Sequence, residues 1–123
     1  MFYLKIVMCS NIMDDEERVQ ETLAHELIHA YDMCTAHMSP DSECLHHACT
    51  EIRAANLSGQ CNIRNRLRHT KWNQLRKHHQ ECVRSSASQS IAARPICRGR
   101  VEESIAAAWP SCYKDTRPFD VVP

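Results

Sequence analysis

The most chemically loaded stretch of the chain is His25-Glu26-Leu27-Ile28-His29, two histidines four residues apart with a glutamate after the first. On a helix, residues four apart lie about 40° apart around the axis, so both imidazoles project to one side and can share an ion. The glutamate sits about 100° round, badly placed to ligate that ion but well placed to hold and deprotonate a water on it. The chemistry this allows is metal-assisted hydrolysis, in which zinc lowers the pKa of a water and Glu26 acts as the base.

A catalytic zinc takes three protein ligands and leaves its fourth place to water. Candidates for the third lie between His46 and Asn56. Around a helix, Glu51 falls on a face of small and apolar residues with Ala48, Ile52 and Ala55. A carboxylate there needs a partner, and a metal is one. Glu51 is the favoured third ligand, with His46 or His47 as alternatives. The non-metal account of Glu51 is a salt bridge to an arginine such as Arg53. Asp32, three residues after His29, returns to the ligand face and can accept an imidazole N–H there. The expected cofactor is one Zn²⁺ per chain.

These residues need helices to position them. Asp14 or Asp15 caps the first, with Glu16 and Glu17 in its opening turn, and it runs to about Cys34. Its apolar stripe, Val19, Leu23, Leu27, Ala30 and Cys34, points away from His25 and His29. The expectation is that the back of the helix packs while the ligands face a cleft. Asp41 or Ser42 caps a second helix that ends near Leu57, closed by Ser58-Gly59. A third spans about Asn62 to Cys82, with a polar patch from Ser85 to Ser90 and a break at Arg94-Pro95. The last spans about Arg98 to Ala108, before Pro110, and the tail from Lys114 to Pro123 reads as extended. Tyr3 to Cys9, apolar with β-branched Ile6 and Val7, reads as a short strand. The fold class is mainly α with a small N-terminal strand or sheet, in one domain over residues 1–123.

Composition narrows the function. Fifteen basic residues balance fifteen acidic ones among 123, so no global field draws the chain to nucleic acid. The basic stretch holding His69, Lys71, Trp72, Arg76, Lys77, His78 and His79 reads as a solvated face, and no nucleic-acid partner is expected. Two glycines in all argue against phosphate-binding loops. No apolar run approaches the ~20 residues of a membrane span. Met1 to Met8 is too short for a signal-peptide core. Eight cysteines, none in a CxxC pair, fit a disulfide framework in an oxidising compartment better than a thiolate metal site.

Three blocks in order, HELIHAYD (25–32) followed by Cys34, HHACTEIRAANLSGQC (46–61) and KHHQECVR (77–84), resemble the mitochondrial inner-membrane metalloprotease and ATP-synthase assembly factor family. Its animal members are also called Ku-binding proteins. The similarity runs from Ile6 through Cys112 and Pro118-Phe119. The resemblance implies a zincin-like zinc metalloendopeptidase, peripheral on the mitochondrial inner membrane and facing the intermembrane space. Its substrate would be the precursor of a proton-channel subunit of ATP synthase, whose assembly it would also assist. It assigns His25 and His29 as zinc ligands and Glu26 as the catalytic base.

Cys9, Cys34, Cys49, Cys61, Cys82 and Cys112 fall at cysteine positions associated with the family and are the disulfide candidates that staple the helical C-terminal part. Cys44 and Cys97 are extras that can pair with each other or with other partners. Family members carry an upstream segment with further cysteines, and this chain is expected to lack it. The competing reading is a non-catalytic, disulfide-stapled assembly chaperone or protein-interaction module.

Overall fold

The computed structural model describes residues 5–35, 43–62 and 72–123. Four helices make up most of them: α1 (Glu16–Thr35), α2 (Glu43–Leu57), α3 (Trp72–Ala92) and α4 (Val101–Cys112). Short 3₁₀ turns cover Ser10–Ile12 and Pro95–Arg100. The mainly helical expectation holds.

Helix α1 starts where its acidic cap puts it. The Arg18 amide donates to Asp15 Oδ1 at 2.7 Å, satisfying one of the free donors of the first turn. Helix α2 ends at a left-handed glycine, with the Ser58 amide bonded to the Ala54 carbonyl and Gly59 at φ 88°. That turn throws the chain back and brings Gln60 beside α1. The predicted caps of α2, Asp41 and Ser42, lie outside the described residues.

Helix α2 is the centre of the molecule. It contacts α1, α3 and α4, and it is buried without interruption from Glu51 to Leu57. Its small residues Ala48, Ala54 and Ala55 are fully buried, which lets three helices approach one axis. The main core joins Ile52 to Val83, Ala87 and Ile91 of α3 and to Ile105 and Ala108 of α4. A smaller cluster of Ile28, Ala54 and Leu57 joins α1 to α2.

Three disulfides tie α2 and the turn that follows it to their neighbours: Cys44–Cys97 and Cys49–Cys112 from the helix, and Cys61–Cys82 from the turn. The two extra cysteines therefore pair with each other. Cys9 and Cys34, both disulfide candidates, are instead free and exposed.

Several sequence expectations are corrected. Among the described residues there is no strand. Residues 5–9 are irregular, with Val7 exposed, and among the described residues no backbone pairs with them as a strand needs. Asn62 is not helical but closes a turn onto the Gly59 carbonyl. Helix α3 instead continues through the serine-rich stretch, because Val83, Ala87 and Ile91 recur every four residues and carry it into the core. Helix α4 runs through Pro110, near its end, where proline withdraws one backbone donor and the Cys112 disulfide anchors the last turn. After it, Thr116 and Phe119 form a hydrogen-bonded turn in the tail.

The stripe assigned to α1 is also overturned. Leu23 and Leu27 are 40% and 51% exposed and Cys34 is exposed, while Ile28 is only 4% exposed. Among the described elements α1 packs on α2 alone, and it does so through the face that carries His25, Ile28, His29 and Asp32. The candidate ligands thus lie within the helix–helix interface.

Candidate metal centre

His25, His29 and Glu51 offer one donor atom each, all within 4.8 Å of one another. The two Nε2 atoms are 3.0 Å apart. Glu51 Oε2 lies 3.5 Å from His25 Nε2, and Oε1 lies 3.5 Å from His29 Nε2. Donors around a tetrahedral zinc at its usual ligand distances stand roughly 3.3 Å apart, so these separations fit one ion.

Glu51 is 6% exposed, and its Oε2 is buried without a hydrogen-bond partner. A carboxylate oxygen in that position needs a cation. Burial works to raise the Glu51 pKa, but His25 and His29 outweigh it and hold the group below its usual value. The carboxylate is ready to ligate.

The far side of each imidazole is held. His25 Nδ1 donates to Gln60 Oε1 at 2.7 Å, and Gln60 is itself fixed by a 2.7 Å bond from its Nε2 to Ser86 Oγ. His29 Nδ1 lies 2.9 Å from Thr50 Oγ1, and Thr50 donates to Asp32 Oδ2 at 2.7 Å. Since the single O–H of that hydroxyl points at Asp32, its oxygen accepts from His29 Nδ1–H. Both rings therefore carry their proton on Nδ1 and turn a lone pair on Nε2 toward Glu51, as metal-binding histidines do. Burial lowers the pKa of His29 and keeps it neutral. At His25 burial acts the same way, but contacts with Glu51 and Gln60 outweigh it, and its pKa is raised.

Glu26 is half-buried on the turn that carries His25 and forms no hydrogen bond or ion pair among the described residues. It is not one of the clustered donors. His47 Nε2 is 3.8 Å from Glu51 Oε1, and His46 lines the same cleft, but neither joins the cluster. Asp32 does not touch the imidazole directly. Thr50 stands between them, with its hydroxyl bonded to both. Arg53 ignores Glu51 and pairs with Asp32 at 3.0 Å and with Asp115 at 3.0 Å. A cleft of about 430 Å³ opens beside Glu51 and His29 toward Arg94 and Arg117.

Sequence reasoning missed Thr50 and Gln60. Thr50 was findable, since it adjoins Glu51 on the helix that must face His29. Gln60 was not, because only the turn at Gly59 brings it there.

The match to protein families fits this arrangement. The model of the peptidase M76 family covers residues 2–120. The chain belongs to the peptidase M76 family. It is 43% identical over 120 residues to the mitochondrial inner membrane protease atp23 of Emericella nidulans, covering 95% of this chain and 50% of the relative. It is 42% identical over 120 residues to the mitochondrial inner membrane protease ATP23 homolog of Xenopus laevis, covering 97% and 51%. The chain thus spans about half the length of the curated relatives it matches. No solved structure matches it.

Proposed function

We propose that this chain is a zinc-dependent endopeptidase of the HExxH type, with His25, His29 and Glu51 holding the metal and Glu26 acting as base. The observation that carries the reading is the convergence of three donors within 4.8 Å, two of them rings whose other nitrogens are already committed. Zinc, when bound, supplies a Lewis acid that polarises the scissile carbonyl and acidifies the attacking water. Glu26 takes the water's proton at its carboxylate and delivers it to the leaving amine nitrogen. Gln60 and Thr50 hold the Nδ1 side of each ring, which leaves Nε2 as the nitrogen that faces the metal. The adjoining cleft gives an unfolded segment of a protein substrate a place to lie.

The family relatives named as mitochondrial inner membrane proteases support a site of action at that membrane. No described helix is long and apolar enough to cross a membrane, which accords with peripheral attachment. Three disulfides suit the oxidising intermembrane space. The proposed substrate is the precursor of a proton-channel subunit of ATP synthase, with help to ATP synthase assembly as a second task.

The test is incubation of purified, oxidised chain with that precursor, with and without zinc. Cleavage that needs zinc and Glu26 supports the reading. Partner binding without cleavage by fully zinc-loaded chain would replace it with the chaperone reading.

A further inference from the structure

Arg53 is 3% exposed, an extreme burial for a guanidinium, and all of its donors are engaged around one point. Its Nε donates to Asp32 Oδ1 and Oδ2 at 3.0 and 3.1 Å. Its Nη1 donates to the Asp115 carbonyl at 2.6 Å and pairs with Asp115 Oδ1 at 3.0 Å. Its Nη2 donates to the Arg117 carbonyl. One side chain therefore grips a residue of α1 and the backbone of the tail.

We propose that Arg53 is a positioning residue through which the tail at 115–117 sets the orientation of His29. The proposal deepens the metal-centre reading above and rests on it.

The direction of each hydrogen bond fixes the next. Arg53 can only donate, and Asp32 can only accept while ionised. Held from one side by the guanidinium, Asp32 accepts a hydrogen bond from the Thr50 hydroxyl on Oδ2, which leaves Thr50 Oγ1 to accept from His29 Nδ1. The proton of His29 is thereby placed away from Glu51 and its lone pair toward it. Without Arg53, Asp32 loses its charge partner and is free to rotate, and Thr50 can turn its hydroxyl toward His29 instead.

The tail is built to hold its end. Asp115 accepts from Arg117 Nε and Nη2 at 2.9 and 2.6 Å, which folds the segment so that both carbonyls face Arg53. Asn56 Nδ2, one turn on from Arg53, donates to the Tyr113 carbonyl at 3.0 Å and fixes the approach to the segment.

The experiment compares the oxidised wild-type chain, residues 1–123, with R53M and D115A. Nitrogen-15 spectra of the metal-free proteins read which nitrogen of His29 carries the proton, and Co²⁺ titration reads affinity. Wild type should show His29 protonated on Nδ1. R53M should populate the Nε2–H form and bind Co²⁺ about tenfold more weakly, the scale of an outer-shell loss. D115A should shift both readouts the same way by less, and it decides the matter if R53M fails to fold. Unchanged His29 protonation and Co²⁺ affinity in a folded variant that merely melts earlier would overturn the proposal and leave Arg53 a structural clamp. If wild type binds no Co²⁺, the metal reading fails, while the His29 proton position still decides the relay.

Discussion

His25 Nε2 and His29 Nε2 face one another across 3.0 Å while both rings spend their proton on the opposite side. Two lone pairs at that distance, with the Glu51 carboxylate 3.5 Å from each, form a pocket of negative potential within a helix interface. Such an arrangement is stable only around a positive charge.

A metal that binds the folded chain alone must therefore stabilise it. Free zinc at a hundred times its dissociation constant should add about 2.7 kcal/mol to unfolding. Thermal melts with zinc and with chelator should differ accordingly for wild type and coincide for H29A.

Replacing Glu26 by glutamine separates binding from chemistry. E26Q should keep wild-type zinc affinity and lose cleavage by roughly 10²-fold or more, the scale of a missing general base. Cleavage at the wild-type rate would remove Glu26 from the mechanism.

Thr50 is the link that sequence reading passed over. T50V keeps the shape but loses the acceptor, and metal affinity should fall roughly 10- to 100-fold. T50S should retain it. Chelator competition measures both.

The tail clasp has its own pH signature. Paired with Arg117 and then Arg53, the Asp115 carboxyl is held down to about 2. A carboxylate with a depressed folded pKa adds stability above its unfolded pKa of about 3.9. That stability disappears as pH falls through about 2. D115N should therefore be less stable than wild type at neutral pH, by about 1 kcal/mol for a solvent-screened pair. The two melting curves should converge near pH 2.

The Cys44–Cys97 bridge closes a separation of 53 residues between α2 and the turn before α4. Removing both cysteines should cost about 2–4 kcal/mol, read by denaturant unfolding, without altering zinc stoichiometry. The bridge lies at the far end of α2 from Gln60.

What was legible in the sequence follows from locality. Asp15, Gly59 and the 25/29 spacing act within one turn of helix, so caps, helix end and the histidine pair could be read directly. The place of Glu51 beside the two histidines was readable as well, because a carboxylate among Ala48, Ile52 and Ala55 needs a partner, though His46, His47 and a salt bridge to an arginine were open alternatives. The side of α1 that packs was misread, since hydrophobicity pointed to Leu23 and Leu27 while the polar face carries the interface. A helix that buries ligating side chains inverts the usual pattern, and no periodicity signals that. Gln60 and the Arg53 clasp depend on contacts between distant segments, which spacing cannot encode; Cys44 and Cys97 stood out as extras that could pair, and the fold selects that pairing over the alternatives.

Zinc stoichiometry tests the central claim most directly. Metal-free, oxidised chain titrated with zinc should take up one ion per chain, and E51A should lose at least tenfold in affinity. Well-folded wild type that binds no zinc, or E51A that binds as tightly as wild type, would contradict a centre built from His25, His29 and Glu51.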